Sequence, residues 1–204
     1  TTVGVTGQIN TLYSIAAVIF AIMMGALSIR FRHNLLLLTG LLFNTASALG
    51  CFLAQDFPTM MTSYALSGIG WAMISPMSIT LIGEHYPTEK RAKAVGLVVA
   101  GGALVYFIGA PIIALTANIG GWRYSVLAIV IPISIASLLL AWIGLHSTQD
   151  NDKNKPSLDL RTYLNSFSQV LSNHSALACL TGNFLRAGSF IAILIYSASF
   201  GRQR

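Results

Sequence analysis

The chain has 204 residues, of which 54% are hydrophobic and 9% are charged, and its mean hydropathy is +0.70. A soluble domain carries about 25% charged residues, so this composition excludes an ordinary soluble globular protein. The formal net charge of +6 could indicate a nucleic-acid partner. Because the charges lie between apolar stretches, we expect no nucleic-acid binding.

Six apolar stretches predict membrane-spanning helices. Five contain no Asp, Glu, Lys or Arg and the sixth contains Arg186 alone; they cover residues 8–29, 33–55, 57–83, 94–122, 124–145 and 175–199. About 20 apolar residues cross roughly 30 Å of hydrocarbon, where backbone amides are satisfied only within a helix or a closed barrel. These stretches are too long and too uniformly apolar for barrel strands. The sequence therefore predicts an all-α polytopic membrane protein with six transmembrane helices.

The basic residues predict the orientation in the membrane. Eight of the twelve Lys and Arg residues fall in three loops that pairs of apolar stretches separate: Arg30 and Arg32; Lys90, Arg91 and Lys93; and Lys153, Lys155 and Arg161. The loops on the other side hold only Arg123, apart from two arginines at the chain end. Cytoplasmic loops carry an excess of Lys and Arg. We therefore expect a multi-pass protein of the inner or plasma membrane, with the basic loops and residues 146–174 in the cytoplasm.

The long polar segment between the fifth and sixth stretches has two parts. Residues 147–157 are rich in Asp, Asn, Lys and Ser, which is typical of a flexible linker. Beyond them apolar residues recur at helical spacing: Leu160, Tyr163, Leu164, Phe167, Val170 and Leu171. One apolar stripe predicts a short helix lying in the membrane interface. A regulatory docking helix is the alternative.

Other features narrow the class of protein. The first residue is Thr1 rather than Met, and the chain ends soon after the sixth stretch, so we expect a piece of a longer protein. Cys51 and Cys179 lie inside apolar stretches, where their spacing fits neither a disulfide framework nor a metal site. An intramembrane hydrolase needs a buried nucleophile and base, and the sequence has no Gly-x-Ser-x-Gly motif. We therefore expect no enzyme activity and no cofactor.

Three segments carry a resemblance to a known family. Residues 25–34 read Gly-Ala-Leu-Ser-Ile-Arg-Phe-Arg-His-Asn. This is similar to the loop Gly-x-Leu-Ala-Asp-Arg-x-Gly-Arg-Arg after the second helix of the major facilitator superfamily, with Ile29 at the Asp position. After the third stretch, a loop at 84–91 and residues up to Gly96 resemble the exit Phe-Pro-x-x-x-Arg-x-x-Ala-x-Gly of the family's fourth helix. The glycine-rich stretch with Pro111, followed by Gly-Trp-Arg at 121–123, is similar to the fifth helix and its outer turn.

Together these segments cover nearly the whole chain, in the order of helices two to seven of a twelve-helix bundle. The resemblance implies a secondary active transporter, an uptake or efflux permease, that moves a small solute by alternating access. Its implied partners are the small-molecule substrate, the lipid bilayer and a coupling proton or ion. It also implies domain bounds: an N-terminal bundle at 1–147, a cytoplasmic central loop with the interfacial helix at 148–174, and the start of a C-terminal bundle at 175–204. A six-span structural or assembly protein without transport activity remains the alternative.

The resemblance implies two groups of candidate residues. Substrate-cavity candidates are Trp71, Asn183 and Arg186. Arg186 lies about 11 residues into the sixth stretch, where a charge costs roughly 2.5–3.5 kcal/mol on insertion scales. Conformational and gating candidates are Gly25, Arg30, Arg91, Gly102, Gly109 and Pro111. For each of them helix packing or topology offers a simpler role.

Overall fold

The computed structural model describes residues 3–146 and six helical residues farther along, at 177, 178, 181, 182, 185 and 189. The chain divides into two units, Thr6–Pro156 and Thr1–Val5 with Ser157–Arg204. The predicted interfacial helix, the domain bounds at 147 and 174, and most of the sixth stretch lie outside the described residues. The count of six membrane helices therefore stays a prediction.

The described part of the chain is helical and contains no strand. Its helices are α1 (Val3–Arg30), α2 (His33–Leu53), α3 (Phe57–His85), α4 (Thr88–Leu104), α5 (Ala110–Ser125) and α6 (Ile131–His146). One π-helical turn, Val105–Gly109, joins α4 to α5, and another, Val126–Val130, joins α5 to α6.

The helices are long and apolar enough to cross a membrane. The 21 residues of α2 rise about 32 Å at 1.5 Å per residue, which matches the hydrocarbon thickness. The other membrane-length segments are Gly7–Arg30, Phe57–His85 and Thr88–Leu145. This confirms the predicted class, an all-α polytopic membrane protein.

The segment Thr88–Leu145 is 58 residues long and folds back on itself at Gly121. This residue has φ 80° and ψ 173°, a conformation essentially confined to glycine. Across this turn, the Thr116 hydroxyl donates a hydrogen bond of 2.9 Å to the Ser125 hydroxyl, whereas nine residues of a straight helix would rise about 13 Å. The segment is therefore a hairpin of two spans, as the sequence predicted for 94–122 and 124–145.

The loop expected at 84–91 is much shorter in the structure, where only Tyr86 and Pro87 separate α3 from α4. Pro87 lacks the amide hydrogen that would continue α3, and its fixed φ suits the residue before a new helix. Glu89 lies in the first turn of α4, where the helix dipole favours an acidic side chain. The expectation was wrong because charged residues near a membrane surface can extend a helix.

Helix α3 packs between α1 and α2 through two glycines. A Cβ at Gly68 would collide with the backbone carbonyl of Tyr13 in α1. A Cβ at Gly70 would lie 2.8 Å from the carbonyl oxygen of Gly40 in α2. Farther along α3, a buried cluster joins all three helices and consists of Met24, Leu36, Met73 and Met77. Small residues allow helix backbones to approach closely in a membrane.

Helix α6 packs on α2 through small polar residues. Thr45, Ser47 and Ser134 are buried, and the Thr45 hydroxyl lies 3.4 Å from the Ser134 carbonyl oxygen, which it faces as a donor. The Thr45 and Ser134 hydroxyls also donate within their own helices, to the carbonyl oxygens of Leu41 and Val130. This side of α2 is therefore closed by the second arm of the hairpin.

Two contacts fix the ends of the bundle. At the basic end, His33 Nδ1 lies 2.7 Å from Glu84 Oε1 and joins the start of α2 to the end of α3. At the opposite end, the Arg123 guanidinium donates a hydrogen bond of 2.5 Å to the Ala54 carbonyl oxygen. The hairpin turn is thereby tied to the α2–α3 turn, and the alternation of ends matches the sequence prediction.

Candidate functional site

Trp71 lies on an open face of α3 at the middle of the helix. Fourteen residues of α3 precede it and fourteen follow it, so it lies near half depth if α3 spans the membrane. Trp71 is 58% exposed, whereas the neighbouring Gly70 and Ala72 are buried. The structure therefore places this predicted cavity residue away from the helix contacts that hold the bundle together.

Hydroxyl and aromatic residues continue this face along α3. We call Tyr64, Ser67, Trp71 and Ser75 the α3 stripe; they recur at spacings of three or four residues, which places them on one side of a helix. Ser67 and Ser75 lie about 6 Å along the axis on either side of Trp71. The Ser67 hydroxyl donates to the Tyr64 carbonyl oxygen at 2.6 Å and keeps its acceptor capacity. The stripe therefore brings hydroxyl groups and an indole to the exposed side of α3 at mid-depth.

Tyr13 of α1 extends the stripe at one end. Its ring centroid lies 5.4 Å from that of Tyr64, and the planes are tilted by 41°, a favourable arrangement for an aromatic pair. Of these residues, only Trp71 was predicted from the sequence as a cavity residue. The spacing of Tyr64, Ser67 and Ser75 from Trp71 was a readable signal, but the approach of Tyr13 depends on the glycine crossing between α1 and α3.

A shallow cavity of about 400 Å³ lies along α1. It is lined by Asn10, Thr11, Ser14, Ile15, Val18 and Ile19. The Thr11 and Ser14 hydroxyls donate to carbonyl oxygens of α1 itself, those of Gly7 and Asn10. Because these donors are used within the helix, the cavity offers a ligand less hydrogen bonding than its composition suggests.

The gating candidates at the basic end occupy different surroundings. The Gly25 carbonyl oxygen, within α1, accepts a hydrogen bond from Ser28 at 2.9 Å. Arg30 ends α1 and is exposed. Arg91 is exposed on the first turns of α4, and its Nε donates to the Tyr86 carbonyl oxygen at 2.8 Å. The structure thus gives Arg91 a local role at the α3–α4 turn, and its part in gating stays a prediction.

The remaining gating candidates lie along the first arm of the hairpin. A Cβ at Gly102 would meet no atom within 4 Å, and one at Gly109 would meet only Val105 of the same turn, at 3.6 Å. Pro111 lies at the start of α5, directly after the π-helical turn Val105–Gly109. Proline removes a backbone hydrogen bond, and a π-turn is one way in which a helix accommodates an irregularity. Close helix packing at Gly102, the simpler alternative to a gating role, does not occur among the described residues.

Asn183 and Arg186 lie outside the described residues, so their role in a cavity stays a prediction. No group of three or more His, Cys, Asp or Glu side chains within the described part of the chain is placed to hold a metal ion.

The comparisons with known proteins agree with this architecture. The profile of the Major Facilitator Superfamily matches residues 1–204. The chain is 28% identical over 165 residues to the MFS-type transporter YcnB of Bacillus subtilis, covering 79% of the chain and 32% of the relative. It is 27% identical over 169 residues to the chloramphenicol resistance protein CraA of Acinetobacter baumannii, covering 81% of the chain and 39% of the relative.

A third relative is the methylenomycin A resistance protein of Bacillus subtilis, 33% identical over 124 residues, which are 58% of the chain and 25% of the relative. The chain thus spans between a quarter and two fifths of the length of these relatives. The match of the family profile over the full chain, on a bundle of membrane-length helices, establishes that the chain belongs to the major facilitator superfamily.

Proposed function

We propose that this protein is a secondary transporter that moves a small solute across the cell membrane by alternating access, with its basic end in the cytoplasm. Membership of the family supports transport in general. In such transporters two helical bundles rock around a site near the bilayer midplane. Residues 1–147 would form most of one bundle, residues 148–174 the central loop, and residues 175–204 the start of the other.

We propose that the open face of α3 lines the solute pathway. Helix α3 packs against α1 at Gly68 and against α2 at Gly70, and it carries the exposed Trp71 at the centre of the helix. The open faces of α4 and α6 instead carry aliphatic side chains such as Leu97, Val99 and Leu140, which suit lipid. A face with hydroxyls and an indole at mid-depth is better suited to a solute pathway, where polar groups find partners.

Movement of the bundle requires helices that can change shape or slide. The π-turn Val105–Gly109, followed by Pro111, supplies an irregular point in the hairpin, and the open surface at Gly102 leaves room for another helix. We propose that this arm flexes during transport. Gly25, Arg30 and Arg91 at the basic end would hold one of the two states.

Export of an antibiotic is the narrower form of this function. Two of the relatives bear the names of resistance proteins, one for chloramphenicol and one for methylenomycin A. Their likeness to this chain is distant. We propose export of a toxic solute as the direction of transport to test first. Uptake of a nutrient by the same cycle is the competing outcome, and we propose that the protein is not an enzyme.

The test is solute accumulation in cells that lack their own export pumps and express the full-length protein. We expect at least one solute of a panel that includes chloramphenicol to accumulate less than in vector cells. Dissipating the proton gradient should restore its accumulation if a proton is the coupling ion. Trp142→Leu changes an exposed residue of α6 among aliphatic neighbours. This variant serves as the control that a substitution on an aliphatic surface leaves expression in the membrane unchanged.

Unchanged accumulation of every solute, in both directions and at verified membrane abundance, would contradict transport. It would favour the alternative of a membrane protein with a structural or assembly role.

A further inference from the structure

We propose that the α3 stripe, together with Tyr13, is a binding surface for an uncharged planar aromatic solute. The inference rests on the proposed function, because it names the substrate class of the surface that the transporter would present to its pathway. The surface consists of the Trp71 indole, the serines one turn before and after it, and the Tyr13–Tyr64 pair beyond Ser67.

Trp71 is exposed at half depth of α3. Trp and Tyr favour the two membrane interfaces, where the polar group of the ring reaches water. Trp71 is far from both ends of α3, yet it is 58% exposed. A buried indole N–H generally finds a hydrogen-bond acceptor, which hydrocarbon does not offer. An aqueous pathway or a polar ligand is therefore the environment in which this side chain is satisfied.

The contrast with Trp142 supports this assignment. Trp142 is 62% exposed and lies on α6 near Leu139, Leu140 and Ile143, all of them exposed and aliphatic. It is also close to the basic end of α6, where an interfacial tryptophan is expected. The two tryptophans have similar exposure but opposite surroundings, so Trp142 is the matched control for Trp71.

The shape of the surface selects an aromatic ligand. The indole presents a flat face, and aromatic rings prefer offset or edge-to-face contact with one another. Ser67 and Ser75 lie about 6 Å to either side along the helix, at a distance where they meet polar substituents on the edges of one ring system. Tyr64, 40% exposed, is a second ring two turns from Trp71. An aliphatic solute of equal polarity would lack the stacking contacts.

The charges of α1 and α3 favour an uncharged ligand on this surface, and the predicted cavity residue Arg186 lies outside the described residues. Aromatic faces also attract cations, but residues 8–29 and 57–83, which contain α1 and α3 at this depth, include no Asp or Glu. A cation at mid-depth therefore has no carboxylate on either helix to offset its desolvation. Neither span has a Lys or Arg that would hold an anion.

Contact quenching of tryptophan fluorescence tests the proposal. The full-length protein would be placed in lipid nanodiscs with every tryptophan except Trp71 changed to Phe, and, in the control, with every tryptophan except Trp142 changed to Phe. The quencher is 4-nitrobenzamide, an uncharged planar aromatic. Benzamide, cyclohexanecarboxamide and benzyltrimethylammonium then compete as an aromatic, an aliphatic and a cationic probe.

We expect saturable quenching of Trp71 and a linear, unsaturated response of Trp142. Benzamide should displace the quencher at about fivefold lower concentration than cyclohexanecarboxamide, the effect of one aromatic contact. Tyr64→Leu should weaken quencher binding by a similar factor.

Linear quenching of both tryptophans would place Trp71 in lipid and overturn the proposal, and absent quenching of Trp71 would mean that protein covers the stripe. Stronger displacement by the cation would overturn the substrate class. Because this assay measures binding alone, its failure is separate from failure of the accumulation test.

Discussion

Gly68 and Gly70 lie at the points where three helices of this protein come closest. Each faces a backbone carbonyl group on a neighbouring helix, that of Tyr13 for Gly68 and that of Gly40 for Gly70. Backbone cannot move aside as a flexible side chain can, so these sites tolerate no Cβ without a shift of a helix. Gly83, near the end of the same helix, faces open space.

We expect Gly68→Ala to destabilise the protein by about 1–3 kcal/mol, the usual cost of overpacking a closely packed site. Gly83→Ala should leave stability unchanged or raise it slightly, because Ala favours helix more than Gly. Thermal unfolding of the purified protein in detergent measures both. Equal midpoints for the two variants would show that α1 and α3 do not meet at Gly68.

The prediction for Arg186 rests on the sequence alone. A charge near the midplane is costly unless it faces water or a partner. We expect Arg186→Gln to abolish transport at normal abundance in the membrane and Arg186→Lys, which keeps the charge but loses the planar five-donor group, to retain part of it. Transport by the full-length Gln variant at the rate of the unmodified protein would leave Arg186 a packing role only.

At the scale of elements, the hairpin of α4 to α6 depends on one backbone conformation. Gly121 turns the chain with positive φ, and three contacts then hold the two arms and the neighbouring turn: Thr116 with Ser125, Ser125 with Ile113, and Arg123 with Ala54. Arg123 also lies over the Trp122 ring at 5.2 Å, a cation–π contact. The turn is therefore fixed by a conformational requirement and by side chains that meet only after it forms.

Gly121→Ala tests this requirement. Open space surrounds a Cβ at this position, so the substitution introduces backbone strain without a collision, at a cost of order 1–3 kcal/mol. We expect a lower unfolding midpoint and lower abundance in the membrane. Gly96→Ala, at a helical position of α4 that also faces open space, should behave like the unmodified protein. If both variants unfold alike, the backbone at residue 121 is not under this constraint.

At the scale of the whole molecule, the distribution of charge predicts the orientation of the protein. The end formed by the α1–α2 and α3–α4 turns carries Arg30, Arg32, Lys90, Arg91 and Lys93, and the opposite end carries Asp56 and Arg123. The contacts His33–Glu84 and Arg123–Ala54 each join two turns at one end. The positive-inside rule then predicts that the first of these ends faces the cytoplasm.

Cysteine labelling tests this orientation. In a protein with Cys51 and Cys179 changed to Ala, Gln55→Cys and Tyr86→Cys place single thiols at exposed, uncharged positions of opposite ends. We expect an impermeant maleimide to label the cysteine at 55 in intact cells and the one at 86 only after permeabilisation. The reverse pattern would invert the topology.

The sequence by itself determined the class of fold and the spans described here. Apolar stretches of membrane length permit only helices in lipid, and the positions of the charges indicate where the turns lie. The open face of α3 could be predicted in part from the sequence, since Ser67, Trp71 and Ser75 follow helical spacing. The sequence could not show which of many glycines permit contact: Gly68 and Gly102 look alike in the chain, but only the first meets a neighbouring backbone.

The tertiary structure alone decided the contacts between distant residues. The pairing of Tyr13 with Tyr64, of His33 with Glu84 and of Arg123 with Ala54 depends on the angle and register of helices that pack against one another. Hydropathy acts along one segment at a time, and every apolar segment satisfies it equally. Close packing depends on shape, so the partner of each helix is fixed by where small residues allow two backbones to meet.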